Sequence, residues 1–153
     1  MIVGMGEESI DIVEVAYKLR ELEVPSIPVN FLIPIDGNQV QEDGSLSPER
    51  CLRALCLMRF VNPTAEIRIA GGREGHLRSM QPFGLYPANS LFVEGYLTTK
   101  GDPALDTYAM IRDAGFEIDG NDAYREAQSH QHGGQFRIPD GSDQLLKPEI
   151  AQA

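Results

Sequence analysis

One strand-like segment carries an arginine among apolar residues. Arg68 stands alone between Ile67 and Ile69, and the side chains of a strand alternate between its two faces. If the two isoleucines pack against covering helices, Arg68 points to the opposite face, into the interior. A buried guanidinium is costly unless an anionic group meets it. The pattern therefore predicts an anionic partner for Arg68, and the identity of that partner is the main functional question.

Two further apolar segments each hold one polar side chain. Asn30 interrupts a segment rich in Val, Ile and Phe, and Ser90 begins another. In a parallel barrel, the strand interior and the carboxyl ends of the strands are where chemistry is placed. A single Asn or Ser is more often a satisfied core group, whereas three polar residues in successive strands favour a shared polar site. Gly71 and Gly72, which follow the arginine strand, would let the backbone approach a ligand closely.

Other residues that could bind metal ions or act as nucleophiles are weaker candidates. Cys51 and Cys56 are five residues apart on a predicted helix, where they do not share a face well, so we expect packed core thiols rather than ligands. His76 is expected on a solvated helix face. His130 and His132 could bind a metal ion, but no cysteine or carboxylate stands beside them. The sequence contains no P-loop, nucleophile elbow or dinucleotide-binding fingerprint.

The elements that would position these residues alternate between strands and helices. Strands are predicted at the start of the chain and over residues 28–33, 67–70 and 90–93. Helices are predicted from a cap at Ser9, from Ser47-Pro48 up to Asn62-Pro63, and over residues 73–80 and 104–114. This order is typical of a parallel α/β fold. Residues 119–153 are polar and rich in Gly and Gln, so we expect a mostly disordered tail with a short helix near 123–128.

Composition excludes several classes of partner. The chain has 153 residues, 42% of them hydrophobic, and a net charge of −10 from 13 basic and 23 acidic residues. Nucleic acids and anionic membranes reward clustered Lys and Arg, so neither is an expected partner. No apolar run approaches the roughly 20 residues that span a bilayer. The first residues lack a basic signal region, and two cysteines make no disulfide framework, so we expect a reducing cytoplasm.

The chain resembles the C-terminal half of the biotin synthases, which are radical S-adenosylmethionine enzymes. Four separated blocks carry the resemblance and keep the family's order and spacing from about residue 2 to 118. The blocks are Ile2-Val3-Gly4-Met5-Gly6-Glu7, Val29-Asn30-Phe31-Leu32 with Asp36-Gly37, Ile67-Arg68-Ile69-Ala70-Gly71-Gly72-Arg73-Glu74, and Pro87-Ala88-Asn89-Ser90-Leu91-Phe92 with Gly95-Tyr96-Leu97-Thr98-Thr99.

The resemblance implies a fold and an activity. Residues 1–118 would form part of a (β/α)8 TIM-type barrel, from the end of strand 5 through strand 8, including the region associated with biotin and thiamin synthesis. Residues 119–153 would form the flexible tail. The family converts dethiobiotin to biotin by radical sulfur insertion with S-adenosylmethionine, a [4Fe-4S] cluster and a [2Fe-2S] cluster. The resemblance also implies that the complete enzyme forms a homodimer and receives electrons from a donor protein.

The resemblance assigns roles to five residues, and none of these five is assigned as a catalytic group. Arg68 is similar to the arginine ligand of the [2Fe-2S] cluster, and Ser90 to a serine near that cluster. Asn30 is similar to a dethiobiotin contact. Ile2 is similar to the apolar contact for the adenine of S-adenosylmethionine, with Ile33 as a weaker second contact. A guanidinium is normally protonated, which favours electrostatic tuning, or displacement during sulfur donation, over tight structural ligation.

The chain also departs from the family. It has no CxxxCxxC loop for the [4Fe-4S] cluster, and the family's cysteine ligands of the [2Fe-2S] cluster are absent. We therefore expect a fragment that is inactive alone. Two alternatives stay open: another radical enzyme, for thiazole or hydrogenase-cofactor assembly, or a non-catalytic module that packs on a partner half-barrel. The sequences around Asn30 and Ser90 favour the biotin synthases.

Overall fold

A small parallel sheet with helices is the framework of the protein. The computed structural model describes residues 1–35, 37, 44, 46–93, 95–96, 99–119 and 144–145. The parallel strands are β1 (Ile2–Val3), β2 (Ser26–Phe31), β3 (Glu66–Ile69) and β4 (Ser90–Leu91), in that spatial order. β5 (Gly95–Tyr96) and β6 (Thr99–Lys100) form a separate antiparallel pair, and β7 (Gln144–Leu145) pairs antiparallel with β4.

Helices connect the strands, as a parallel sheet requires. They are α1 (Ser9–Glu21), α2 (Pro48–Val61), α3 (Arg73–Leu77), α4 (Gln81–Gly84) and α5 (Ala104–Asp113), with a 3-10 turn over Arg78–Met80. The α/β class and the alternating order are therefore as predicted. The structure confirms a four-stranded parallel arrangement, and closure into a barrel stays a prediction.

Local signals explain the ends of the two long helices. At the start of α2, the Ser47 hydroxyl accepts a hydrogen bond from the Arg50 amide at 3.2 Å, and Pro48 is the first helical residue. The prediction for α1 was wrong by one residue: Glu8 is the N-cap, its amide donates to Asp11 Oδ2 at 2.7 Å, and Ser9 is already helical. Asp11 is the third residue after the cap, and its carboxylate accepts from the N-cap amide as the acidic residue of a capping box does.

The two faces of the sheet have opposite character. One face packs against the helices in a single core: its strand residues are Val3, Ile27, Val29, Phe31, Ile67, Ile69 and Leu91, and the helix residues include Ile12, Ala16, Ala54, Leu55 and Met58. Ile67 and Ile69 are fully buried, as the alternation predicted. Arg68, which lies between them, and the other alternate strand residues therefore face the opposite side of the sheet.

Two predictions about individual residues were wrong. Ile33 was expected in a strand, but β2 ends at Phe31 and Ile33 lies in the segment after it. His76 was expected on a solvated face beside Arg73, but these two residues are only 7% and 1% exposed. The first turn of α3 packs between the end of β2 and α5, because His76 Nε2 pairs with the Leu32 carbonyl at 2.7 Å and Arg73 Nη2 lies 3.4 Å from Thr107 Oγ1.

Some elements were not anticipated, and some predictions cannot be compared. The β5–β6 pair, α4 and β7 had no counterpart in the sequence prediction. The predicted helix near 123–128 and the pair His130 and His132 lie outside the described residues. Among the helices described, none has both the length and the apolar character needed to cross a membrane.

Candidate functional site

The face of the sheet opposite the helices gathers the predicted polar residues. The register sets Ser26 level with Glu66, and Arg68 level with Ser90. Partners in a parallel ladder and residues two apart in a strand share a face. Asn30 lies on this face too, two residues beyond the β2 partner of Arg68. We call this set the polar face; it consists of Ser26, Asn30, Glu66, Arg68 and Ser90.

Arg68 is paired within the polar face. Its Nη2 and Nε donate to Glu66 Oε1 at 2.8 and 3.1 Å, and Nε also donates to Ser90 Oγ at 3.0 Å. The guanidinium carbon lies 5.4 Å from the centre of the Phe92 ring, within the range of a cation–π contact. The Arg68 side chain is 18% exposed. The expected anion is therefore present in the chain itself, two residues before the arginine.

Glu66 is an ionised carboxylate at neutral pH. Burial raises the pKa of Glu66, but hydrogen bonds from Arg68, Ser90 and Ser26, together with the charge of Arg68, outweigh it and hold the pKa below its ordinary value of 4.5. Glu66 was not among the residues predicted from the sequence. The available signal was its spacing, because two residues apart in a strand means the same face.

Asn30 joins three parts of the structure. Its Oδ1 accepts a hydrogen bond from the Gly71 amide at 2.9 Å, and its Nδ2 donates to the Met1 carbonyl at 3.3 Å. The side chain thus ties the start of β1 and the turn after β3 to β2. A substrate contact by Asn30 would have to be made in addition to these two bonds.

The turn after β3 lies against β2. Gly72 has a φ of +83°, and a Cβ placed on it would lie 2.2 Å from the Phe31 carbonyl oxygen. Only glycine fits both the backbone conformation and the approach. The close approach that Gly72 permits is therefore to the backbone of β2, which differs from the predicted approach to a ligand.

The two apolar candidates occupy different places. Ile2 pairs with Asn30 in the β1–β2 ladder and is 47% exposed. Ile33 is partly buried beyond the end of β2. The sheet thus brings Ile2, Asn30, Arg68 and Ser90 to one face, and Ile33 does not belong to that face.

The cysteines lie on the helix side of the sheet. Both are on α2; Cys51 is fully buried and Cys56 is partly exposed. Burial raises the pKa of the Cys51 thiol to about 12, although the nearby charges of Arg50 and Arg78 lower it. Metals and electrophiles react with the thiolate form, so Cys51 is a core thiol, as predicted. Within the described part of the chain, no group of three or more His, Cys, Asp or Glu side chains could hold a metal ion.

A second cluster of polar residues supports the turn after β3. Arg73 donates through Nη2 to Glu74 Oε1 at 2.7 Å and through Nη1 to Gln81. Gln81 Nε2 in turn donates to Asp102 Oδ2 at 3.2 Å. These bonds connect α3, α4 and the segment before α5, so they stabilise the turn that contacts Asn30. This cluster was not predicted from the sequence.

The open cleft between α1 and α2 is separate from the polar face. It has a volume of about 790 Å³ and is lined by residues 7–10, 12 and 13 at the start of α1 and by residues of α2 as far as Leu57. The arginines in its lining are paired, because Arg50 Nη2 lies 3.3 Å from Glu7 Oε1 and Arg53 Nε lies 2.6 Å from Glu49 Oε1. With its cations matched by carboxylates, the cleft has no excess of positive charge for an anionic ligand.

Comparisons with known proteins agree on one family. A family model described as "Biotin and Thiamin Synthesis associated domain" matches residues 28–117. A biotin synthase of Acaryochloris marina is 56% identical over 149 residues, which cover 97% of this chain and 42% of that protein. Biotin synthases of Leptospira interrogans and Streptomyces avermitilis are 57% and 53% identical over 76% and 80% of this chain, and over 33% and 31% of their own lengths. The chain thus spans less than half the length of these relatives.

Proposed function

This chain belongs to the Biotin and Thiamin Synthesis associated domain family, and we propose that it is the C-terminal part of a biotin synthase, which converts dethiobiotin to biotin. In this proposal the complete enzyme is a cytoplasmic radical S-adenosylmethionine sulfurtransferase. It acts as a homodimer and receives electrons from a donor protein. The identity above 50% to several proteins named biotin synthase supports the proposal.

One structural observation carries the proposal. Residues that the resemblance assigns to substrate, nucleotide and cluster lie together on one face of a parallel sheet: Ile2, Asn30, Arg68 and Ser90. Parallel strands are ordinarily apolar on both faces, so a face with a paired arginine, a serine hydroxyl and an asparagine amide is unusual for this sheet. Placement of a polar site on the strands is expected of a barrel enzyme.

The polar face supplies a fixed cation rather than a complete cofactor site. Glu66 and Ser90 orient the Arg68 guanidinium, so its positive charge is held at a fixed place on this face. The iron–sulfur clusters and S-adenosylmethionine would supply the radical and the sulfur atom. The cysteines of this chain lie on α2, on the other side of the sheet, so the described residues form no ligand set for either cluster. In the proposal the thiolate ligands come from outside the described residues.

In the proposal, Asn30 and Ile2 would bind the substrates through contacts with their side chains. In the proposal the Asn30 amide contacts dethiobiotin while Gly71 and Met1 hold it in place. Ile2 would offer its exposed side chain to the adenine of S-adenosylmethionine, and Ile33 would make a second apolar contact from beyond β2. Desolvation of an apolar ring against such side chains is favourable.

A chimeric enzyme tests the proposal. This chain replaces the matched 149-residue segment of the Acaryochloris marina biotin synthase, and the purified protein is reconstituted anaerobically with iron and sulfide. We expect it to form biotin from dethiobiotin. A chimera that folds and cleaves S-adenosylmethionine but forms no biotin would refute the proposal, provided that the unmodified relative is active in the same preparation.

The same assay separates the alternative radical enzymes. A biotin synthase should cleave S-adenosylmethionine faster when dethiobiotin is present, because substrate binding completes the site. Deoxyadenosine is measured with and without dethiobiotin by mass spectrometry. A rate of S-adenosylmethionine cleavage that does not change with dethiobiotin would favour an enzyme of thiazole or hydrogenase-cofactor assembly. If the chimera cleaves nothing while the parent enzyme does, a non-catalytic module is favoured.

A further inference from the structure

Arg59 of α2 connects the loops that precede β3 and β4. Its half-buried guanidinium donates to five oxygen atoms, none of them on a carboxylate. The acceptors are the carbonyls of Pro87 (2.8 Å), Ala65 (2.8 Å), Pro63 (3.0 Å) and Asn62 (3.5 Å), and Asn89 Oδ1 (2.8 Å). Three of these residues come just before β3 and two come just before β4.

Asn89 carries this connection to the sheet. The side-chain oxygen Oδ1 of Asn89 accepts from the backbone amide of Ile67 at 2.9 Å and from Arg59 Nη2. The backbone amide of Asn89 donates to the Ile67 carbonyl at 3.1 Å. Ile67 directly precedes Arg68, and Asn89 directly precedes Ser90. The Asn89–Ile67 bonds therefore set the level at which Ser90 meets Arg68.

The register of β4 needs such support. β4 has two residues, Ser90 and Leu91, so its parallel ladder with β3 is very short. A slip of one residue would turn every side chain of the strand to the opposite face. Leu91 would then lie on the polar face, and Arg68 Nε would lose the Ser90 hydroxyl.

An arginine suits this position better than a lysine. The planar guanidinium has five N–H donors in a rigid arrangement, so it can bond both loops at once. A lysine ammonium on a flexible stem holds fewer acceptors in defined directions. The five acceptors also compensate the burial of the charge.

We propose that Arg59 is a positioning residue for the polar face. From the helix side of the sheet it holds Asn89 on Ile67, which keeps Ser90 Oγ within hydrogen-bond distance of Arg68 Nε. The geometric part of this inference stands on the described contacts. Its effect on turnover rests on the proposed function.

Exchange at arginine side chains tests the geometric part in the full chain. The Nε–H of Arg68 is followed by ¹⁵N NMR in the wild type and in Arg59→Met. We expect exchange at Arg68 to become roughly tenfold faster, as for the loss of one hydrogen bond to a charged group. The pKa of Glu66, read from its carboxyl ¹³C shift, should rise toward its ordinary value. Arg73, which is buried among other partners, should not change.

Further variants keep the test decisive. Asn89→Asp retains the acceptor oxygen and should preserve slow exchange at Arg68, whereas Asn89→Ala should accelerate it even if Arg59→Met fails to fold. Adding Arg59→Met to Asn89→Ala should cause no further acceleration, since both act through one bond. Equal changes at Arg68 and Arg73, no change at either, or additive effects would each overturn the inference.

Turnover of the chimera tests the functional part. Arg59→Met should lower kcat with little change in the KM for dethiobiotin, and Arg112→Met, at an exposed arginine of α5, should leave both unchanged. An unchanged kcat would overturn the functional part alone. If the parent chimera is inactive, the proposed function fails, while the NMR result still decides the geometric part.

Discussion

At the scale of single residues, the polar face is defined by how Arg68 is paired. An arginine between two buried isoleucines is costly to bury unless an anionic group pairs with it, and Glu66 of the same strand provides that group. Ser90 completes the arrangement from the neighbouring strand. The guanidinium is thus oriented before any ligand arrives, which lowers the entropic cost of presenting it to an anionic group.

The charge of Glu66 should stabilise the folded chain. Glu66→Gln keeps the shape of the side chain but removes the negative charge that pairs with Arg68. We expect a loss of about 1–2 kcal/mol in the free energy of unfolding at pH 7, as for a hydrogen bond between charged groups. Urea unfolding measures it. Glu49→Gln, at a carboxylate that is 65% exposed, is the matched control and should change stability by only a few tenths of a kcal/mol.

This stabilisation should depend on pH in one direction. Because the pKa of Glu66 in the folded state lies below 4.5, the contribution is complete above that value. It is lost as the pH falls through the folded-state pKa, where the wild-type carboxylate takes up a proton. The difference between wild type and Glu66→Gln should therefore shrink in strongly acidic urea titrations. A difference that stays constant down to pH 2 would contradict the assignment of charge to Glu66.

The two cysteines should differ in reactivity. With a pKa of about 12, Cys51 carries roughly one thiolate in 10⁵ at pH 7, and its side chain is fully buried. Iodoacetamide should therefore alkylate Cys56 in the native protein and reach Cys51 only after unfolding. Peptide mass spectrometry over a time course distinguishes the sites. Equal labelling rates in the native state would show that Cys51 is not the buried thiol described above.

At the scale of elements, the turn between β3 and α3 has a strict steric requirement. Gly72→Ala places a Cβ against the Phe31 carbonyl and forces a positive φ on alanine. We expect a loss of at least about 1–3 kcal/mol from backbone strain alone. Gly75→Ala is the matched control, since Gly75 lies inside α3 with open space around it and alanine favours helix. Thermal unfolding compares the two, and similar melting temperatures would contradict the close approach of Gly72.

The helix caps give a second prediction for this scale. Ser47→Ala removes the hydroxyl that accepts from the Arg50 amide and should cost about 1 kcal/mol. Ser9→Ala should be nearly neutral, because Glu8 holds the N-cap position of α1. Chemical unfolding of the two variants gives the comparison. A larger loss for Ser9→Ala would restore the prediction made from the sequence.

Helices were easier to predict from this sequence than the site. The limits of α2 follow from local signals, the Ser47-Pro48 start and the Asn62-Pro63 stop. The pairing of Arg68 with Ser90 depends on the register of two strands that are 22 residues apart along the chain, and no local pattern specifies it. The burial of His76 depends likewise on the packing of α3 against β2.

At the scale of the whole molecule, the sheet separates two roles. Its helix face holds the core, and its polar face holds residues that the proposed function assigns to substrate and cofactors. Relatives named biotin synthase are longer, and this chain matches 42% of the Acaryochloris marina protein. In the proposed function, this chain would supply the guanidinium and the substrate contacts of a shared site, and the thiolates would come from outside the described residues.

The spectrum of the reconstituted chimera is the most direct test of that account. If Arg68 lies beside the [2Fe-2S] cluster as proposed, replacing it by Met removes that cation and should change the absorption and paramagnetic resonance signals of the cluster. Binding of S-adenosylmethionine should be retained, and Arg112→Met should leave the spectrum as in the parent chimera. A [2Fe-2S] spectrum unchanged by Arg68→Met would contradict the assignment of Arg68 to the cluster.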